Sequence, residues 1–329
     1  MNDFSILLPF LIWIFLVGLC IGSFLNVVAL RGLSGESIVF PSSKCPKCNN
    51  KLKWWMNIPL LSYLILRGKC HYCKTSISPQ YPIVEFITGV FFLLIFIKFG
   101  FEISTLFYLT AFSILMVMSI CDIKESVILD FHAYILIILG IILNSVLFGL
   151  NGFLFSIIGG VSGFILYELI ARSGYLLANQ RAFGEGDSLI AAGIGTFFGW
   201  QLMLISTILS VFVMAIFTYP YLLYKSYKEG KKKTVFALVS AVLLIAFAAI
   251  VSKTEFIKTF EISVAFLFIM VILTFLCAKF ILDDMKKPAP NGEVSLCMLP
   301  FGPAMAISFV IIMFFQNELQ TLIKSYFLG

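Results

Sequence analysis

Long apolar segments separated by short polar breaks dominate this chain. A segment of about 20 apolar residues is long enough to cross a bilayer as a helix. The pattern predicts ten spans, near residues 6–30, 83–100, 103–121, 131–150, 153–171, 188–200, 202–224, 235–252, 262–282 and 300–316. The predicted fold class is therefore an all-α polytopic membrane protein, a bundle of about ten transmembrane helices.

The pair of spans at 188–200 and 202–224 has two interpretations. Three glycines make the first of these segments short, and Trp200-Gln201 fits either a turn or a membrane interface. One long kinked helix is the alternative to two spans.

Composition supports the membrane class. Apolar residues make up 60% of the chain and charged residues 12%, whereas soluble domains have about 45–50% and about 25%. The net charge of +6 is interpreted as a signal of orientation, because Lys and Arg concentrate on the cytoplasmic side of membrane proteins. No nucleic-acid partner is expected.

The basic residues predict the topology. With the N-terminus outside and ten alternating spans, 19 of the 23 Lys and Arg residues lie inside; the other four are Lys98, Lys253, Lys258 and Lys324. Fusing 188–200 with 202–224 would move the lysine-rich loop at 225–233 outside, which disfavours the single-helix alternative. The first apolar run lacks a basic residue before it and a clear cleavage site, so we expect a retained span.

Residues 31–82 form the only sizeable soluble segment. They contain Cys45-Pro46-Lys47-Cys48 and Cys70-His71-Tyr72-Cys73, and two such C-x-x-C pairs predict a closed, structural four-thiolate zinc site. Two disulfides are the alternative, but they require an oxidising compartment. The predicted fold therefore includes a small zinc-binding cytoplasmic loop. We expect His71 not to be a zinc ligand.

Two carboxylates lie in polar breaks between apolar runs. Asp122 follows one run and Asp187, in Gly184-Glu185-Gly186-Asp187, precedes another. Charges at a membrane boundary are costly and indicate functional sites. Because the predicted topology places both on the cytoplasmic side, they are candidates for an acid/base dyad.

Several short motifs occur along the chain in the same order as in a known protein family. They are Gly22-Ser23-Phe24-Leu25-Asn26, Pro41-Ser42-Ser43-Lys44-Cys45, Asn57-Ile58-Pro59-Leu60-Leu61-Ser62-Tyr63, Tyr81-Pro82-Ile83-Val84-Glu85, Asp122, the Gly-x-Gly-Asp at 184–187 and Pro300-Phe301-Gly302-Pro303. Together they closely resemble the type IV prepilin peptidases, which are bifunctional leader peptidases and N-methyltransferases of the bacterial inner membrane.

The resemblance implies a function for the chain. It implies an aspartic endopeptidase that cuts prepilins or pseudopilins at the cytoplasmic membrane face, and that also N-methylates the new N-terminus with S-adenosylmethionine. It implies Asp122 and Asp187 as catalytic residues, with Asp130 as a weaker rival for Asp122. No residue is assigned to S-adenosylmethionine, and the oligomeric state is not predicted. A non-enzymatic transporter or assembly factor with a structural zinc knuckle is the alternative.

Supporting roles are expected for three further residues. Gly184 and Gly186 are expected to permit an irregular backbone that brings Asp187 toward Asp122. Glu85, deep within an apolar run, fits either a structural hydrogen bond or a role in substrate binding. Two family positions differ here: Leu189 replaces a Lys, and Leu129 replaces a Pro.

The domain organisation follows from these segments. We expect a first span at 1–30, the zinc-binding loop at 31–82, a peptidase core at 83–224, and a C-terminal span and tail at 291–329. An inserted basic loop with two extra spans occupies 225–290 and has no predicted role beyond packing.

Overall fold

The computed structural model describes residues 3–178, 181, 184–228, 230, 232, 234–236, 239–240 and 300–327. Within these residues the regular structure is helical, apart from two isolated antiparallel bridges in the soluble loop. The helices are α1 (Asp3–Ser34), α2 (Leu61–Ile65), α3 (Gln80–Phe99), α4 (Ile103–Glu125), α5 (Asp130–Ala178), α6 (Glu185–Lys228) and α7 (Gly302–Phe327), with a 3₁₀ turn at Trp54–Asn57.

Six helices of the described chain are long and apolar enough to cross a membrane: α1, α3, α4, α5, α6 and α7. Eight of the ten predicted spans fall within them, because α5 and α6 each contain two. The spans predicted at 235–252 and 262–282 lie almost wholly outside the described residues, so the count of ten is not confirmed. The all-α class and the presence of several candidate membrane helices are confirmed.

Single glycines interrupt the two longest helices. Gly149 in α5 has φ 59° and Gly199 in α6 has φ 76°, a left-handed conformation that glycine adopts without a steric cost. The chain reverses within α5, because Asn144 Nδ2 donates to Ser156 Oγ at 2.9 Å, whereas a straight helix would separate residues this far apart by about 18 Å. Gly199 adjoins the predicted turn at Trp200-Gln201, which favours two spans over one.

Asn144 also joins the two broken helices. Its Nδ2 donates to the carbonyl oxygens of Thr196 at 2.8 Å and Phe197 at 3.2 Å. These carbonyls precede the break at Gly199 and therefore lack helical partners. Because no water is available inside a bilayer, such groups need protein donors, and the buried Asn144 supplies them.

Small residues bring α1 and α3 close together. A Cβ on Gly18 would lie 2.8 Å from Cα of Gly89, and a Cβ on Gly22 would lie 2.8 Å from Cα of Glu85. Interfaces of this kind pack backbone against backbone in membranes. The ends of α1 and α3 that adjoin the cysteine-containing loop then share a buried apolar cluster with α4, made of Leu25, Ala29, Val84, Val117, Ile120 and Cys121.

The chain divides into two compact units. The first comprises Met1–Glu168, Gly184–Ser210 and Pro300–Gly329, and the second comprises Leu169–Phe183 and Val211–Leu299. All the predicted site residues belong to the first unit. In it, the ring of Phe309 in α7 packs against Phe197 and Phe198, with centroids 5.3 and 4.9 Å away, which places α7 beside the first half of α6.

Candidate active site

Asp122 lies in the last turn of α4, where the helix ends. The Asp122 carbonyl accepts a hydrogen bond from Ser126 N at 2.8 Å, and Ser126 ends the helix in a left-handed conformation with φ 53°. The carboxylate is buried, with 5% of the residue exposed. Its Oδ2 accepts a hydrogen bond from the backbone N–H of Gly302 at 2.7 Å.

Gly302 is the first residue of α7 and reaches Asp122 because it has no side chain. A Cβ built there would lie 2.9 Å from Asp122 Oδ2. The free N–H groups and partial positive charge of a helix N-terminus favour a carboxylate. Pro-Phe-Gly-Pro was noted in the sequence as a motif, but its contact with Asp122 was not predicted.

Asp187 is the third residue of α6. Its Oδ2 accepts a hydrogen bond from the backbone N–H of Gly184 at 3.0 Å, the contact that the third helical residue makes in a capping box. Only 6% of Asp187 is exposed. Its Oδ1 is buried and has no hydrogen-bond partner within the described part of the chain.

Of the two motif glycines, only Gly186 lies so close to a neighbouring residue that a side chain would not fit. Gly186 lies within the regular helix α6, whereas Gly184 precedes that helix in irregular backbone. A Cβ on Gly186 would lie 2.5 Å from Cβ of Ile128. A Cβ on Gly184 would lie 3.5 Å from Asp187 Oδ2, which is an ordinary contact. Gly186 therefore allows α6 to begin against the segment that follows α4.

The structure brings the two predicted carboxylates together. Asp122 and Asp187 are close enough for their charges to interact, and both are buried while their backbones lie at the ends of helices. Asp130, the rival candidate, begins α5 and is exposed to solvent. The geometry thus favours Asp122 over Asp130 as the partner of Asp187.

Sequence reasoning missed Tyr167, which lies beside this pair. Its side chain is fully buried, it hydrogen-bonds with Ser210 and Thr207, and it interacts electrostatically with Asp187. Its ring lies 6.4 Å from that of Phe301. A tyrosine within a long apolar run gives no signal of this kind before the helices are packed.

Glu85 has the structural role that was one of its two interpretations. Its Oε2 accepts a hydrogen bond from the backbone N–H of Leu60 at 2.8 Å, and its side chain also contacts the Ser23 hydroxyl. Glu85 thereby ties the soluble loop to α1 and α3. It is not part of the Asp122–Asp187 pair.

The four predicted metal ligands converge in the loop. The Sγ atoms of Cys45, Cys48, Cys70 and Cys73 all lie within 4.8 Å of one another. Cys45 Sγ and Cys73 Sγ are 3.8 Å apart, which matches the edge of a tetrahedron with metal–sulfur bonds of about 2.3 Å. The four cysteines are free thiols in the structure, so the disulfide alternative is not favoured.

The two halves of this cluster repeat one turn. Each C-x-x-C is closed by a bridge, Lys44 with Lys51 and Lys69 with Ser76, and each is followed by a left-handed residue, Asn49 or Lys74. Backbone N–H groups of Cys73 and Tyr72 lower the pKa of the Cys70 thiol to about 6. The backbone of Thr75 lowers the pKa of Cys73, but burial and hydrogen bonds with the other three thiols outweigh it and raise that pKa to about 11, so Cys70 is the first of the two to become the thiolate that metals bind. His71 stays outside the cluster and packs on Trp55, with ring centroids 5.6 Å apart.

Comparison with known proteins adds two family matches. Residues 16–99 match the bacterial Peptidase A24 N-terminal domain, and residues 109–219 match the type IV leader peptidase family. The first match contains the cysteine loop and the second contains both aspartates. No solved structure matches the chain.

Relatives named "Prepilin leader peptidase/N-methyltransferase" align with much of the chain. The Myxococcus xanthus protein is 35% identical over 59% of this chain and 58% of its own length. The Neisseria gonorrhoeae protein is 33% identical over 60% of this chain and 78% of its own length. The Klebsiella pneumoniae protein is 32% identical, and the alignment covers 60% of this chain and 90% of that relative. These names favour an enzyme over the transporter or assembly-factor alternative.

Proposed function

The chain belongs to the type IV leader peptidase family, and from this we propose that it is a multi-pass inner-membrane aspartic endopeptidase and N-methyltransferase. It removes the leader from type IV prepilins or pseudopilins and then methylates the new N-terminus. Asp122 and Asp187 are its proposed catalytic residues, and both face the cytoplasm.

The observation that carries this proposal is the convergence of two buried carboxylates from different helices. Asp122 ends α4 and Asp187 begins α6, and each accepts a hydrogen bond from a glycine N–H. Because two carboxyl groups in one site do not both ionise readily, they share one proton and titrate as a pair. A shared proton supplies an acid and a base at one place.

The chemistry follows from that shared proton. The charged carboxylate removes a proton from water as the water oxygen bonds to the scissile carbonyl carbon, while the protonated carboxyl donates to the carbonyl oxygen. The tetrahedral intermediate then collapses, the C–N bond breaks, and the leaving amine takes a proton from the dyad. No covalent enzyme intermediate forms.

The position of the dyad suits a substrate that lies partly in the membrane. Both aspartates lie at helix ends, so a pilin's apolar helix can remain in the bilayer while its leader stays in the cytoplasm. Prepilin leaders in this family are basic, and Asp122, Glu125, Asp130, Glu185 and Asp187 together attract a cation.

We assign the four-cysteine cluster to a structural zinc ion. Cys45, Cys48, Cys70 and Cys73 fill all four positions of a tetrahedral site and leave none open for a substrate. In this family the zinc-binding loop is associated with methylation, for which S-adenosylmethionine supplies the methyl group. No residue of this chain is assigned to binding that cofactor.

The experiment that tests the proposal is intact mass spectrometry of a prepilin co-expressed with this chain. We expect the wild type to remove the leader and to add the mass of one methyl group to the new N-terminus. Asp187→Asn should abolish cleavage, whereas Asp130→Asn, a matched change at an exposed acid, should at most slow it.

A Cys45→Ser variant separates the two activities. Cleavage without methylation would assign the zinc loop to the methyltransferase. A wild-type chain that is folded yet leaves both a prepilin and a pseudopilin uncleaved would contradict the proposed function.

A further inference from the structure

The loop between α1 and α3 exposes an unusual amount of apolar surface. Ile38, Val39 and Phe40 are exposed, and so is Trp54, at 80%. Single exposed apolar residues are common in soluble segments, but several large ones in a loop of this size indicate contact with a membrane or another protein.

Helix α2 carries the most ordered part of this surface. Leu61, Leu64 and Ile65 are 55%, 69% and 67% exposed, and their spacing of three and four residues places them on one face of the helix. Ser62 and Tyr63, on other faces, are partly buried. A helix packed on a protein core buries its apolar face, whereas α2 exposes it.

One hydrogen bond places α2 beside the membrane spans. Leu60, immediately before α2, donates its N–H to Glu85 Oε2 at 2.8 Å. Glu85 is the sixth residue of α3, so it lies about 7–8 Å inside that helix. Its neighbours Ile83 and Phe86 are exposed where α3 enters the bilayer. The apolar face of α2 thus begins at the depth where headgroups meet acyl chains.

The charge of the loop complements an anionic surface. Between residues 31 and 79 the only acidic residue is Glu36, against eight basic residues: Arg31, Lys44, Lys47, Lys51, Lys53, Arg67, Lys69 and Lys74. Lys51 and Lys53 directly precede Trp54. Basic residues close to an anionic lipid surface are attracted to it.

We propose that Trp54, Leu61, Leu64 and Ile65 form a lipid-binding surface seated in the interfacial layer of the bilayer, with the adjacent lysines on anionic headgroups. Trp and apolar side chains beside basic residues are typical of interfacial segments. The surface holds the cysteine cluster against the membrane plane. This inference does not depend on the peptidase activity.

Fluorescence of Trp54 in the full chain tests the proposal. Trp13, Trp55 and Trp200 are changed to Phe, and the single-Trp protein is reconstituted in liposomes that contain phosphatidylglycerol. Lipids brominated near the headgroup should quench Trp54 more than lipids brominated near the bilayer centre, and aqueous acrylamide should quench it weakly. Zinc content checks that the loop stays folded after the Trp55 change.

A second variant separates lipid from other partners. In the same background, Leu64→Glu with Ile65→Glu should shift Trp54 emission to the red and reduce its quenching by brominated lipid; Ser42→Glu, at an exposed polar site, should do neither. Strong acrylamide quenching with no lipid quenching would overturn the proposal. Protection from acrylamide without lipid quenching would overturn it too, because the surface would then be covered by protein.

Discussion

Backbone N–H groups of two glycines hold the two aspartates within the part of the chain that the structure describes. Gly302 donates to Asp122 and Gly184 donates to Asp187. This arrangement explains how the two carboxylates can be held in place although Leu189 stands where the family has a Lys. Neutral donors position a carboxylate without neutralising it, so the pair can still exchange one proton.

The three glycines around the dyad should differ in their tolerance of a methyl group. Gly302→Ala places a Cβ 2.9 Å from Asp122 Oδ2, and Gly186→Ala places one 2.5 Å from Ile128 Cβ, whereas Gly184→Ala meets Asp187 Oδ2 at an ordinary 3.5 Å. We expect kcat to fall by about a hundredfold for the first two, because small displacements of catalytic groups cost that much. Gly184→Ala should stay within about threefold of the wild type.

Steady-state cleavage of a purified prepilin measures this order. Gly184→Ala is the internal control, since it makes the same chemical change in the same motif. Equal losses for all three variants would show that the spacing of α4, α6 and α7 does not position the dyad.

Residue types and their order identify the candidate site residues but not the contacts that those residues make. Asp122, Asp187 and the four cysteines stand out because charged and thiol groups are rare in an apolar chain. Gly302 and Tyr167 did not stand out, because their roles arise from contacts between helices distant in sequence. Glu85 had two interpretations until its hydrogen bond to Leu60 was seen.

At the scale of elements, the left-handed glycines convert long apolar runs into shorter spans. Gly149→Ala and Gly199→Ala form a matched pair, because both have positive φ but only Gly199 faces a neighbour, the ring of Phe155. Both glycines combine positive φ with extended ψ, −139° at Gly149 and 173° at Gly199. An alanine held in such a conformation costs about 1–3 kcal/mol. Gly199→Ala should therefore lower the thermal unfolding temperature in detergent clearly more than Gly149→Ala. Equal shifts would mean that the Phe155 contact is unimportant.

The cysteine loop should behave as a metal-dependent element. Cys70→Ser removes one of four ligands and should abolish bound zinc, measured by plasma mass spectrometry on the purified chain, and should expose the loop to limited proteolysis. Structural zinc sites contribute directly to folding. Because all four ligands lie in this loop, we expect loss of zinc to unfold the loop and to leave the membrane helices folded.

Cys20→Ser is the control for this change. Cys20 is an exposed cysteine of α1 outside the cluster, and its variant should keep the wild-type zinc content. Zinc retained by Cys70→Ser, or absent from the wild type, would contradict the assignment.

At the scale of the whole molecule, the distribution of Lys and Arg predicts an N-terminus outside and an active site inside. Reporter fusions test this: alkaline phosphatase fused after residue 150 should be active, and green fluorescent protein fused after residue 125 should fluoresce. The first half of α5 must span the membrane for this pair of results. The opposite pattern would invert the topology and move the dyad to the other face.

Apolar run lengths predicted the helical membrane class and eight of the spans, because burial in lipid requires long hydrogen-bonded helices. They could not predict how those helices pack, since lipid-facing and protein-facing residues are equally apolar. The reversal at Gly149 and the contacts of Asn144 with Thr196 and Phe197 depend on that packing. The predicted domain boundaries and the role of residues 225–290 stay predictions.

The central claim is that Asp122 and Asp187 act as one unit, and a double-mutant comparison tests it most directly. Rates of prepilin cleavage would be measured for Asp122→Asn, Asp187→Asn and the double variant, with intact folding checked by zinc content and thermal unfolding. Residues that act as a unit give non-additive losses. We predict that each single change lowers kcat by about a thousandfold or more and that the double change lowers it no further. Substantial activity in either single variant, or losses that multiply in the double variant, would contradict the dyad.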